Sequence, residues 1–219
     1  MPRSKKTRTK STDRSAARHL RRLQQARMGV AAEAARIIAT EGQHNYHAAK
    51  KKAADRLGVS DRLALPSNIE VKDALYRYLD LYGGEAHDEN LTALRETAVQ
   101  AMRLLAAFNP RLVGSVLDGT AGPHTRIALH VFAESSEAVI LFFREHGIPF
   151  SQEQRQIRWF NGEHRPVELV LTELDGRTLE LAVFEPVHLR QAPPSPIDGK
   201  PQRRAALAEV ELILAQQVA

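Results

Sequence analysis

Gly114-Ser115 closes a short apolar run, Arg111-Leu112-Val113, and a loop carrying Gly119, Thr120, Gly122 and Pro123 leads on to a second strand-like run, Arg126 to Phe132. Glycine lets the main chain approach a ligand closely, so a corner of this kind offers backbone amides and hydroxyls to a phosphate. Gly114, Ser115, Gly119 and Thr120 are therefore candidate phosphate-binding residues. Side chains alternate across a strand, which places residues 126, 128 and 130 on one face. That face reads Arg126, Ala128, His130. A guanidinium stays charged and cannot ligate a metal. Arg126 can instead hold a phosphate or pair with a carboxylate, and it is the fifth candidate of the phosphate set.

An apolar residue, a Gly-Ser corner, and a strand following after a loop of this length resemble the active-site signature of the nucleotidyltransferase superfamily, DNA polymerase beta type. The whole chain is also similar to bacterial nucleotidyltransferase-domain proteins that carry a degenerate form of that domain. The resemblance implies two acids on the second strand, holding Mg²⁺ ions that bridge the phosphates of a nucleoside triphosphate. Arg126 and Ala128 stand in those two places. The superfamily's third acid lies on a later strand, where Glu180 in Leu179-Glu180-Leu181 is the best match and Glu168 the runner-up. Asp118, beside the corner, is either a further carboxylate or a turn former ahead of Gly119. The expectation is a catalytically inactive member, without a resident cofactor, that binds a nucleotide, RNA or a protein partner. The alternative is a working enzyme that uses displaced carboxylates from Asp118, Glu168 and Glu180 with Mg²⁺ and a nucleoside triphosphate. A P-loop, a dinucleotide-binding glycine turn and a Gly-x-Ser-x-Gly elbow are all missing from the sequence.

A second chemistry lies at the N-terminus. Lys5, Lys6, Arg8, Lys10, Arg14, Arg18, Arg21 and Arg22 belong to a 22-residue stretch of charge +8 within a chain of net +5, so the remainder is net acidic. Such an arm attracts RNA or DNA through phosphates, without reading sequence and in a salt-sensitive way. No aromatic residue interleaves the basic ones, so it offers no stacking platform for single strands. It serves equally well as a solvated tail, and a nonspecific nucleic-acid-binding module is the third functional reading.

The elements that must position these residues form two regions. Residues 1–11 are expected to be a disordered basic tail. A helical region spans 12–84: one long helix to Glu41, a second from about Tyr46 to Leu57, and a third opened by a capping box, Ser67 with Glu70. The long helix has a thin apolar stripe, which suits docking or a homodimer through that helix. Residues 53–60 resemble the first half of a helix-turn-helix, but Pro66 interrupts the recognition helix that should follow.

Residues 89–219 are expected to form the nucleotidyltransferase-like α/β domain. Its elements are a helix from Glu89 to Phe108, the two strands about the corner, a helix from Ser136 to His146, three strands joined at Asn161-Gly162 and Asp175-Gly176, and a last helix from Arg204. The fold class is thus α+β, with a mixed, largely antiparallel sheet packed by helices. The proline-rich segment 186–204 either carries Arg190, Lys200, Arg203 and Arg204 to the cleft or is a surface strap.

The chain has no cysteine, which excludes disulfides, thiolate metal sites and thiol catalysis. No stretch is apolar for the roughly 18 residues a membrane span needs. The basic N-terminus lacks the apolar segment of a secretory signal. A cytoplasmic protein with no membrane partner is expected.

Overall fold

The computed structural model describes residues 8–42 and 45–218. The fold is α+β, an N-terminal helical region followed by a five-stranded mixed sheet. The chain divides into two compact units after Tyr78, inside a helix rather than in the expected interval between 84 and 89.

The first unit is helical. Helix α1 (Arg8–Glu41) begins four residues ahead of the expected start, so residues 8–11 are helical; the disorder expected for residues 1–7 lies outside the described residues. Its later half buries Val30, Ala34, Ala35 and Ile37, whereas Leu20 and Met28 are exposed. The stripe is thus narrower than the periodicity indicated. Helix α2 (Tyr46–Leu57) packs Ala49 and Ala53 into the unit and stops at Gly58 in the left-handed conformation, where a glycine carries no penalty. A single 3₁₀ turn (Arg62–Ala64) occupies the place of a recognition helix. Helix α3 (Asn68–Tyr82) starts on the expected capping box. The Ser67 backbone N–H donates to Glu70 Oε2 at 2.7 Å, and the Glu70 N–H donates to Ser67 Oγ at 3.2 Å. Val71 and Leu75 are buried, whereas Tyr82 is exposed.

The second unit takes in the end of α3 from Leu79 and continues with α4 (Gly84–Leu104), which starts directly after Gly83 instead of at Glu89. A 3₁₀ turn and Asn109 in the left-handed conformation (φ 48°) deliver the chain to β1 (Arg111–Val113). Then follow the short α5 (Gly114–Asp118), β2 (Ile127–Phe132), α6 (Ser136–Glu145), β3 (Phe150–Arg158), β4 (His164–Leu174), β5 (Arg177–Phe184) and α7 (Leu207–Val218). The sheet order is β1-β2-β5-β4-β3. Strand β2 runs parallel to β5 and antiparallel to β1, and β3, β4 and β5 form an antiparallel meander. Asp175 (φ 51°) and Gly176 (φ 70°) make the last hairpin, whose two positive φ angles match the right-handed twist of the strands.

The two faces of the sheet are chemically different. Ile127, Leu129, Val131, Leu179 and Leu181 point to one side and form the main core with Leu94 and Met102 of α4, Val139 and Phe143 of α6, and Val210 of α7. Each such side chain contributes on the order of 2 kcal/mol by leaving water. The opposite face carries a smaller cluster, Phe132, Val167, Leu169, Ala182 and Phe184, with no helix of eight or more residues upon it among the described residues. Residues 186–204 cross this side of the unit as a 3₁₀ turn (Pro186–Leu189) and a closed loop, in which the Ser195 N–H donates to Lys200 O at 2.7 Å and the Gln202 N–H to Pro193 O at 2.8 Å.

Candidate functional site

The open sheet face, the Gly114 corner and the proline loop enclose a cleft of about 660 Å³. Register builds its floor. Val113 of β1 lies beside Ala128 of β2, and Ala128 beside Glu180 of β5, so all three share the face that helices leave uncovered. Gly114 adopts φ 73°, and a Cβ there would stand 4.0 Å from that of Ala128. The glycine corner thus lies close against the strand position that carries no acid. Strand β3 and the loop after it add Arg155, Ile157, Arg158, Trp159 and Phe160, and the proline loop adds Pro194, Ser195, Pro196, Gly199 and Gln202.

Glu180 is the carboxylate at the centre of this cleft, and it is engaged by cations of the chain itself. Arg155 donates to it through Nη1 at 2.7 Å and Nη2 at 2.9 Å, a bidentate pair. Arg126 reaches its Oε2 from Nη1 at 3.4 Å, and the same guanidinium is 4.0 Å from Glu153. The Glu180 side chain is only 11% exposed while both arginines are about half exposed, so a deep carboxylate is bridged by two guanidinium groups reaching in from the surface.

The remaining sequence candidates are not all gathered here. Glu168 lies on the opposite face of the sheet: its chain neighbours Val167 and Leu169 face the cleft, and its carboxylate accepts from its register partner Gln154, Nε2, at 2.7 Å. Asp118 ends α5, partly buried, away from the cleft lining. Gly119 and Thr120 pack toward α4. A Cβ on Gly119 would meet Arg95 Nη2 at 3.7 Å, His87 Nε2 lies 3.2 Å from the Gly119 carbonyl oxygen, and Thr120 is buried. The carbonyl of Ser115 accepts from the Thr120 N–H at 2.9 Å, folding the loop back on α5. Of the five phosphate candidates, Gly114 lines the cleft and Arg126 reaches its carboxylate.

In the first unit, Arg18, Arg21 and Arg22 are exposed on α1. Arg8, Lys10 and Arg14 also belong to that helix, while Lys5 and Lys6 lie outside the described residues.

The residues present do not fit a divalent cation. Mg²⁺ needs several oxygen ligands in near-octahedral array, yet among the described residues the cleft lining carries the single carboxylate of Glu180, already bound by Arg155. Among the described residues no group of three His, Asp or Glu side chains could hold a metal ion.

No protein-family model matches the chain, and neither do curated proteins or solved structures.

Two cations build the surroundings of the site: the buried Arg95, which carried no signal in the sequence, and the partly buried Arg204, one of the four basic residues of segment 186–204 weighed for the cleft. Arg95 of α4 donates from Nε to Val116 O at 3.1 Å and from Nη2 to Leu117 O at 3.3 Å. A guanidinium at these carbonyls satisfies the end of α5, whose start is Gly114, and so holds the corner in place. Arg204 lies on the cleft side of the sheet, 5.1 Å from the Phe132 ring and 5.6 Å from that of Phe184. It donates from Nη1 to His188 O at 2.6 Å and from Nε to His130 Nδ1 at 3.0 Å. Burial, aided by the charge of Arg111, lowers the Arg204 pKa to about 10. Burial first and the Arg204 charge second depress that of His130 to about 3. His130 is therefore neutral, its proton on Nε2, because Nδ1 must accept.

Proposed function

We propose that this chain is a catalytically inactive protein of nucleotidyltransferase type whose cleft binds a phosphate-bearing ligand, a nucleotide or a nucleotide unit of RNA. The observation that carries the reading is the bidentate Arg155–Glu180 pair, with Arg126 on the same carboxylate. Arg126 and Arg155 bring two guanidinium groups to the single carboxylate of Glu180. Arg158, Trp159, Phe160 and Pro196 also line the cleft and supply a further cation and flat apolar surface. A ligand with an anionic part and a planar part suits both.

The test has two arms. Nucleoside triphosphates and short RNA should bind without metal, while labelled nucleotides incubated with Mg²⁺ or Mn²⁺ should be transferred to no RNA, protein or small acceptor. Transfer that Glu180→Gln abolishes would establish the metal-dependent enzyme instead.

A second reading is favoured by Arg18, Arg21 and Arg22, all exposed on α1: nucleic acid held nonspecifically by the basic arm. Deleting residues 1–22 should then remove most RNA affinity and its salt dependence, whereas affinity residing in the cleft would survive.

A further inference from the structure

The sheet has two edges, and the chain treats them differently. At β1, Leu112 and Ala205 exchange hydrogen bonds, each N–H donating to the other's carbonyl at 2.9 Å, so the segment before α7 closes that edge. At the other end lies β3, nine residues paired to β4 on one side and to no described strand on the other. An open edge is a template for another strand, and proteins usually blunt it with charged side chains, lysine above all, or with proline, a bulge or a short strand; the charges of β3, Glu153, Arg155 and Arg158, are of both signs. Strand β3 contains no proline, lysine or glycine, and its pairing with β4 runs without a skipped residue from Phe150 to Arg158.

Its central residues read Gln152-Glu153-Gln154-Arg155-Gln156, a pattern that becomes its own complement when reversed. We propose that β3 pairs antiparallel with β3 of a second copy of this chain, about a two-fold axis at Gln154. A symmetric contact needs a self-complementary surface. With the axis there, Glu153 of each copy opposes Arg155 of the other, Gln152 opposes Gln156, and Gln154 meets itself. Opposite charges across a strand pair are favourable and like charges are not. Moving the axis by one residue sets either Glu153 against Glu153 or Arg155 against Arg155, so the charges also fix the register. Both side chains have surface to spare: Glu153 is 50% exposed, and Arg155 remains 52% exposed while bound to Glu180. The two sheets become continuous, with both clefts on the same side because residues opposed across a pair share a face.

The absence of cysteine makes the register directly readable. The full-length chain should show a concentration-dependent dimer by sedimentation. Under mild oxidation Gln154→Cys should form a disulfide dimer at least about tenfold faster than Gln156→Cys, because only the former sets two thiols opposite each other at bridging distance. Gln154→Lys, which puts two ammonium groups together at the axis and leaves a donor for Glu168, should shift the chain to monomer without lowering its melting temperature. A chain that stays monomeric throughout the concentration series overturns the proposal. So does a dimer in which both thiols cross-link at equal rates or which Gln154→Lys leaves intact, since that dimer is built through another surface.

Discussion

Arg155 and Glu180 meet across three strands, β3 to β5, in a two-hydrogen-bond contact of 2.7 Å and 2.9 Å that fills the cleft's one deep carboxylate. The pair makes Glu180 a structural acid, and its removal has opposite effects on stability and on binding. Glu180→Gln leaves two guanidinium groups facing each other. Breaking a fully buried pair costs about 3–5 kcal/mol, and half-exposed arginines reduce this to about 1–2 kcal/mol. The same change deletes a negative charge from the cleft, so ATP or a short RNA should bind about 3- to 10-fold more tightly at low salt. Thermal unfolding together with a binding titration checks both signs. Weaker binding by the variant would show that the carboxylate itself receives the ligand.

How much of this was legible in the sequence depends on the range of the interaction concerned. Gly114-Ser115, the Ser67–Glu70 box and Asp175-Gly176 announce themselves because each is decided by neighbours within a few residues. Alternation along β4 was equally legible, yet alternation alone does not say which face is covered. That is why Glu168 remained a candidate until register placed it with Val170, on the helix side. Arg155 carried no signal, since its role depends on Glu180 being brought to it two strands away. The early start of α1 at Arg8 has a related cause: a run of basic residues is polar enough to be read as tail, but Arg and Lys are good helix formers and extend a helix already nucleated.

Glu70 does two jobs at the start of α3, and they can be separated. It completes the capping box with Ser67 and accepts from Arg27 Nε at 2.7 Å and Nη2 at 2.6 Å. The Arg27 hydrogen bonds, helped by those from Ser67, hold its pKa down to about 2. A carboxylate depressed in the folded state stabilises fully above its unfolded pKa of about 4.3, and the contribution disappears as pH falls from there through about 2. Glu70→Gln should therefore cost about 1 kcal/mol near neutrality, and the variant should lose less stability than the parent between pH 5 and 2. Urea midpoints across that range measure the difference. Parallel pH profiles would mean that Arg27 pairs equally well in the unfolded chain.

His130 governs a different window. Its ring is 5% exposed, lies tilted against that of Phe184 with the centroids 4.6 Å apart, and takes a hydrogen bond from Arg204 at Nδ1. Protonation would place a second positive charge against Arg204 in a site without a described carboxylate partner, which with burial keeps the pKa near 3 as against about 6.5 in the unfolded chain. Above pH 6.5 the imidazole is neutral in both states and imposes no penalty. As pH falls below that value, the unfolded chain takes up a proton that the folded one refuses, and stability declines by up to about 1.4 kcal/mol per pH unit. His130→Gln keeps an acceptor for Arg204 but cannot titrate. The parent should thus lose about 2 kcal/mol more than this variant between pH 6.5 and 4.5, an interval that lies above the unfolded Glu70 pKa of about 4.3. Denaturant unfolding at four pH values over that interval is sufficient, and equal slopes would mean that the ring takes up its proton as readily in the folded as in the unfolded chain, with Arg204 displaced from Nδ1.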